Sequence, residues 1–299
     1  MDRPSPAPTP APEKKENQQQ QQQPHRPRQP PSHDYDYPSL DHYAHTHLNA
    51  TSLPAGLASA LAHATRARRA RALPDWSAVP SQGKFLHVQC RLLGVRRVLE
   101  VGTFAGHGAL WCAAAHPALR VTTVEARAEH AAVARESLDA ACASASADGA
   151  DGAAGDAGAG PGLGLGDRVE LICGDAVRDV LPRLADEVAA GARERYGMVV
   201  VDVEDRRQAW DCLERCVAGG LCAERACVVA HLQVRKSDLS VEAADEKGAN
   251  ARGSREFVEK MGRDPRMSGV LIMSMGEQNY DTVMAVVQGG DGVGASSLA

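Results

Sequence analysis

The run Val98-Leu99-Glu100-Val101-Gly102-Thr103-Phe104-Ala105-Gly106-His107-Gly108 carries an apolar strand straight into a glycine-rich turn ahead of a helical stretch. Such a turn lets a ligand lie against the backbone, because glycine has no Cβ to hold it off. Glu125 closes the next apolar run, roughly twenty residues on, the separation at which a carboxylate accepts hydrogen bonds from ribose hydroxyls. Gly174-Asp175-Ala176 follows a third such run and is short enough to flank an adenine ring. Alone, the turn is no more than a tight strand-to-helix connection. Turn, acid and loop in that order describe a nucleoside cleft, and the GxxxGxG spacing departs from the GxGxxG of nicotinamide sites, which points to an adenosyl cofactor.

Other residues able to do chemistry read as structural. Of 8 cysteines, Cys90, Cys112 and Cys173 sit in apolar stretches, and the group Cys212, Cys216, Cys222 and Cys227 contains no CxxC pair. Reduced thiols packed as small hydrophobes are expected, with no zinc. His33, His42, His45 and His47 match no tight ligand set and read as a solvated polar lead-in. Arg66, Arg68, Arg69 and Arg71 close an Ala- and Leu-rich helix spanning about Ser52 to Ala72, where cations suit the helix dipole and face solvent.

A strand-turn-helix site needs a sheet to hold it. A helix opening at Gly83 leads into short apolar runs alternating with helical segments: strands at Arg97 to Val101, Val121 to Glu125, Val169 to Cys173, Met198 to Asp202 and Ala226 to Ala230. The helices between them span Ala109 to Ala115, Ala132 to Ala141, Val177 to Val188 and Gln208 to Val217. That alternation predicts a parallel sheet with crossover helices. After a helix at Ser254 to Met261, the runs Gly269 to Met275 and Thr282 to Val287 stand too close together for a crossover and are expected to be antiparallel neighbours. Ser144 to Gly166, nearly all Ala, Gly, Ser and Asp, reads as a flexible surface insertion.

The chain has 299 residues, 43% of them hydrophobic, enough for one well-cored domain. Residues 1–36, rich in Pro and Gln with an unbroken run from Gln18 to Gln23, lack the apolar groups that offset ordering entropy. A disordered tail is expected over 1–50, a domain over 51–290 and a flexible end over 291–299. A net charge of -5 gives no general attraction to phosphate backbones, so nucleic acid is not an expected partner. No apolar run reaches the roughly 20 residues that cross a bilayer, and the N-terminus has no apolar signal core, so a soluble cytoplasmic protein is expected.

Ser81-Gln82-Gly83-Lys84-Phe85-Leu86, Leu99-Glu100-Val101-Gly102-Thr103-Phe104-Ala105-Gly106 and Asp264-Pro265-Arg266 resemble the caffeoyl-CoA and catechol type of O-methyltransferase, over a span from about Asp75 to Val287. The resemblance implies an α/β, Rossmann-like class I methyltransferase fold, a mostly parallel seven-stranded sheet ending in an antiparallel hairpin. It also implies S-adenosyl-L-methionine (SAM) as cofactor, a small-molecule hydroxyl acceptor, and a homodimer. Glu100, Gly102, Thr103, Gly108, Glu125 and Ala176 would line the cofactor, with Gly106 of the turn, Asp175 of the loop and Asp202 completing the contacts. Gly108 stands where the family usually has Ser, which removes a hydroxyl.

The pattern departs from the family at the metal. The resembling ligands are an Asp after the fourth strand, matched by Asp202, and an Asp-Asn pair after the fifth, which falls on His231-Leu232. Leu232 offers no donor, and imidazole suits magnesium or calcium poorly. A family Lys is replaced by Asp205, followed by Arg206. Two readings stay open: a metal-independent transferase with His231 or Asp202 as general base, and a non-catalytic SAM-binding scaffold in which His231 is merely a satisfied polar side chain at a strand end. Trp76 and Trp210 read equally as core or as acceptor-stacking residues.

Overall fold

The computed structural model describes residues 37–48, 56–78, 80–148, 164–232, 246–272 and 281–288. Its sheet runs in the order β3-β2-β1-β4-β5-β7-β6, with β1 (Arg97–Val101), β2 (Arg120–Glu125), β3 (Val169–Cys173), β4 (Tyr196–Val201), β5 (Cys222–His231), β6 (Met267–Ile272) and β7 (Thr282–Val287). The first five strands are mutually parallel, while β7 inserts antiparallel between β5 and β6. This is the seven-stranded class I methyltransferase topology that the alternation and the terminal pair of strands predict.

The central strands are covered on both faces, which is why β1 and β4 read as continuous apolar runs. On one face, Leu99, Val101, Val199 and Val201 pack with Leu181 and Leu184 of α6 (Leu181–Ala189), Leu213 of α7 (Ala209–Ala218) and Phe257 of α8 (Glu246–Arg263). On the other, Val98, Met198 and Val200 meet Leu86 of α3 (Pro80–Leu92) and Leu110 and Trp111 of α4 (His107–Ala113). Strand alternation therefore sends Glu100 to the α3–α4 face, directly under the first turn of α4.

Several local expectations are corrected. The segment Tyr37–Leu48 is a helix, α1, inside the stretch assigned to the tail; its rings of Tyr43 and His47 stack at 4.0 Å, one helical turn apart. Arg68 is not solvated: at the end of α2 (Leu57–Ala70) it is buried, donating to the Leu73 carbonyl at 2.9 Å and pairing with Asp75 at 3.1 Å. The expected insertion is helical to the end of α5 (Ala128–Asp148), and Leu165 and Gly166 are buried on its far side; residues 149–163 lie outside the described part, as do 1–36, 233–245 and 289–299. Cys212, Cys216, Cys222 and Cys227 are buried and reduced, as packing requires, whereas Cys173 is exposed at the end of β3. Among the described residues no helix is long and apolar enough to cross a membrane.

Candidate active-site cleft

The carboxyl ends of β1 to β5 open into a cleft of about 740 Å³, placed where the strand order reverses between β1 and β4. Open α/β sheets bind ligands at such a switch point, because adjacent crossover helices leave on opposite faces and part there.

On the β1–β3 side the backbone sets the geometry. Gly102 has φ +97°, and a Cβ there would stand 2.1 Å from the Asp202 carbonyl oxygen, so the turn passes directly against the end of β4. Glu125 pins this turn: one carboxylate oxygen accepts from the backbone N–H of Thr103 at 3.3 Å and of Phe104 at 2.9 Å, and the other from that of Arg127 at 2.9 Å. The bond to Phe104 also holds a non-glycine residue at φ 49°, a conformation that costs energy and persists only where its surroundings enforce it. Asp175 caps the turn Ala176–Val180 by accepting from the Arg178 N–H at 2.9 Å, which leaves Ala176 at the cleft.

Glu100 is buried beside this turn. Its cross-strand neighbour Thr123 donates to it at 2.6 Å, and the hydroxyls of Thr123 and Thr103 lie 2.6 Å apart, making a chain that ends on the glycine turn. Burial pushes the Glu100 carboxyl up to about 8 against the opposing pull of the Thr123 bond, with the nearby charges of Asp202 and Glu125 adding to the rise. A Cβ on Gly108 would meet Glu100 Oε1 at 2.1 Å, so Gly108 leaves room for that carboxyl where a Ser would displace it. Gly106 is the exception among the expected cofactor residues: it does not line the cleft but takes φ +85° to start α4, its α-carbon turned toward Ala134 of α5.

On the β4–β5 side, side chains set the geometry. His231 ends β5, buried, and its Nδ1 lies 3.1 Å from Oγ1 of Thr282, its cross-strand partner on β7. Its Nε2 is buried without a hydrogen-bond partner in a ring that lines the cleft. Burial lowers the His231 pKa, Asp202 opposes that shift and Arg206 adds to it, so the ring is neutral near pH 7. Asp202, the first residue after β4, is partly exposed and lies 3.4 Å from the Arg206 guanidinium.

Sequence reasoning missed Thr123 and Thr282, because each acts across the sheet, and it named Arg206 without a role, because its burial beside Asp202 depends on Asn250 and Gly253 of α8. It also left Trp76 and Trp210 open. Trp210 packs on Phe257 in the core at 6.0 Å, while Trp76 lies at the cleft rim, 5.9 Å from Phe104 and 6.0 Å from His130.

The residues present do not suit a hard divalent ion. Leu232 is buried and apolar, and its carbonyl already accepts from Ser254 Oγ at 2.9 Å. Among the described residues no three His, Cys, Asp or Glu side chains converge as a cage.

Comparison with known proteins follows the same lines. Residues 53–157 match the O-methyltransferase family model. The O-methyltransferase imqG of Aspergillus flavus is 32% identical over 258 residues, covering 85% of this chain and 92% of its own. A catechol O-methyltransferase of Mycobacterium tuberculosis is 30% identical, covering 74% of this chain and 85% of its own. Among solved structures, the O-methyltransferase TomG of Streptomyces achromogenes, in complex with SAM, superposes with a TM-score of 0.63 at 26% identity, over 84% of this chain and 96% of that one.

Proposed function

Because the chain belongs to the O-methyltransferase family and is a SAM-dependent O-methyltransferase of small molecules, we propose that it methylates a hydroxyl without a divalent metal, with His231 as general base and Asp202 as the second catalytic side chain. Family membership decides for an enzyme over the scaffold left open by the sequence.

We assign the β1–β3 side to SAM: Glu100, Gly102, Thr103, Gly108, Glu125, Asp175 and Ala176, with Asp202 facing it from β4. The fit is chemical. Gly102 leaves the backbone open, Glu125 offers carboxylate lone pairs to ribose hydroxyls, and Glu100 is a buried acid able to become the counter-charge of a cation. When bound, SAM supplies an electrophilic methyl group on a sulfonium sulfur. His231 Nε2 takes the acceptor's hydroxyl proton while the oxygen–carbon bond forms and the carbon–sulfur bond breaks, its electron pair staying on sulfur. Thr282 holds the ring at Nδ1, and the mechanism requires the tautomer in which Nδ1–H donates to the Thr282 hydroxyl, so that Nε2 carries the lone pair.

The observation that carries this reading is the partnerless, buried Nε2 of His231 at the cleft. A positioned base of this kind contributes on the order of 10²- to 10⁴-fold. His231→Ala is therefore expected to reduce methyl transfer from labelled SAM, assayed in EDTA, by at least about a hundredfold, with S-adenosylhomocysteine (SAH) affinity kept within about threefold. The acid limb of the wild-type rate profile should fall below 6.5, since the ring must be neutral to accept a proton. Unchanged turnover in His231→Ala removes His231 from the mechanism.

A further inference from the structure

Three carboxylates follow β4 in quick succession, and each has its own arginine. Asp202 is paired with Arg206 at 3.4 Å, Glu204 with Arg127 at 2.6 Å and Asp205 with Arg207 at 2.7 Å. The negative charge that would concentrate a divalent ion at the end of β4 is therefore already balanced by cations of the chain itself.

Arg206 is the buried member of the set, at 4% exposure, and its position is fixed from several sides. Asp205 caps the short turn Arg206–Gln208 by accepting from the Arg207 N–H at 3.1 Å. Asn250 of α8 accepts from the Arg206 N–H at 3.0 Å. Gly253, one turn further along α8, lies so close that a Cβ would stand 2.5 Å from the Arg206 carbonyl carbon. The guanidinium then reaches back to Asp202 and donates to the Val203 carbonyl.

Three oxygens near the ends of β4 and β5 are likewise already engaged. The Val203 carbonyl accepts from Arg206, Asn250 Oδ1 accepts from the Arg206 N–H, and the Leu232 carbonyl accepts from Ser254. A hard cation that takes six or more oxygen ligands would have to break these bonds beside a fixed positive charge.

Resting on the metal-free reading above, we infer that Arg206 stands in for a divalent cation at the acceptor end, as the counter-charge that holds Asp202, and that the acceptor is a molecule with one acidic hydroxyl, a phenol or an enol, with no second oxygen beside it required. Arg206 is a positioning residue acting through Asp202. The acceptor class follows from what a guanidinium lacks. It has no open coordination sites, so it can hold oxygens only by hydrogen bonds and does not lower a hydroxyl pKa as a Lewis acid does. The proton must leave to a side-chain base, which is within reach for a phenol of pKa about 10 and far out of reach for an aliphatic alcohol. The transfer balances as before: the phenolic oxygen gains the methyl, sulfur keeps the carbon–sulfur electron pair, and the proton goes to His231.

Two measurements on the full-length protein test this. In the first, Mn²⁺ is titrated by electron paramagnetic resonance into the SAH-saturated wild type, Asp202→Asn, and a variant combining Arg206→Ala, His231→Asp and Leu232→Asn. The wild type should bind no Mn²⁺ that Asp202→Asn removes, and the combined variant should bind at least about tenfold more tightly than wild type. One Mn²⁺ per wild-type chain, lost in Asp202→Asn, overturns the inference. SAH calorimetry on the same samples keeps the two levels apart, because a wild type that fails to bind SAH sinks the methyltransferase assignment of the cleft instead.

In the second, methylation of 4-nitrophenol, phenol, catechol and benzyl alcohol is followed in EDTA and, in parallel, with Mg²⁺ and no EDTA. Rates should fall as the hydroxyl becomes less acidic, with catechol no faster per hydroxyl than a monophenol of similar acidity. Arg206→Met should lower kcat about 30-fold or more, with KM and SAH affinity within about threefold, and Arg206→Lys should restore part of the loss. Catechol turnover without monophenol turnover, stimulation by Mg²⁺, or SAH binding with no monophenol methylated each overturns the proposal.

Discussion

On the β1–β3 side of the cleft, a glycine at φ +97° and a carboxylate accepting three backbone N–H groups set the shape, and every part lies within a short strand-turn-helix span or at the end of the next strand. On the β4–β5 side the shape comes from side chains: His231 with Thr282 from β7, and Asp202 with Arg206, whose turn is held by Asn250 from α8. The first side follows the resembled motif apart from Gly108, because its shape is set by the backbone of one strand-turn-helix span. On the second side His231 and Leu232 stand where the resemblance places an Asp-Asn pair, and under the proposal above this alters the acceptor chemistry while leaving the cradle intact. On that proposal the cofactor and acceptor functions are mechanically adjacent but chemically separable.

The point at which the sides touch is the place to break that separation. Gly102→Ala would put a Cβ 2.1 Å from the Asp202 carbonyl oxygen at a φ that L residues avoid. A loss of about 3 kcal/mol or more is expected, seen as a melting temperature lower by about 10 °C and abolished SAH binding. A variant with normal stability and affinity would mean the two sides are not in contact as described.

Glu125→Gln should damage only the β1–β3 side. An amide cannot accept from Thr103, Phe104 and Arg127 together, since its NH₂ must face at least one of these donors. SAM affinity is expected to fall about 10- to 100-fold, with the rate at saturating SAM changed by less than about threefold. A fall confined to that saturated rate would show that Glu125 serves the acceptor side instead.

Thr282→Val is the corresponding test on the other side. The isosteric change removes the hydroxyl that orients His231 Nδ1 and should lower kcat about tenfold with SAM affinity unchanged. If affinity falls and kcat does not, the two sides are coupled through β5.

The smallest effect concerns charge. With its pKa pushed up to about 8 by burial, the Glu100 carboxyl is neutral below that pH and ionised above it. Sulfonium-bearing SAM gains from an ionised carboxylate and thioether SAH does not, so the ratio of SAM to SAH affinity should rise several-fold from about pH 6.5 to about pH 9. Because the folded pKa is raised, stability from this group is greatest below 4.5 and declines as pH climbs toward about 8. Glu100→Gln should flatten both profiles in calorimetry and thermal melts; an unchanged SAM-to-SAH slope would place Glu100 outside the cofactor's charge environment.

The strand runs, the terminal antiparallel pair and the glycine turn were legible because each is a local pattern. Val169–Cys173 and Thr282–Val287 are strands with the boundaries read from apolar runs alone. Helix ends were less legible: α6 begins after a π turn at Ala176–Val180, and α8 starts well before the expected Ser254. Gly106 shows what motif reading leaves out, since its φ of +85° at the start of α4 is a backbone requirement that the cofactor reading alone does not supply. Arg206 shows it more strongly. As one residue of an Arg-Arg pair in a charged loop it carries no pattern, and its burial against Asp202 depends on α8 packing over the turn that carries it.

What the sequence by itself determined is the order of elements and the backbone cradle, because hydrophobic periodicity and glycine placement act over a few residues and need no distant partner. What only the tertiary structure decided is which side chains share the space above β4 and β5. Thr282 and Asn250 lie 51 and 44 residues along the chain from the groups they hold, and the burial that lowers the His231 pKa exists only once those segments pack together.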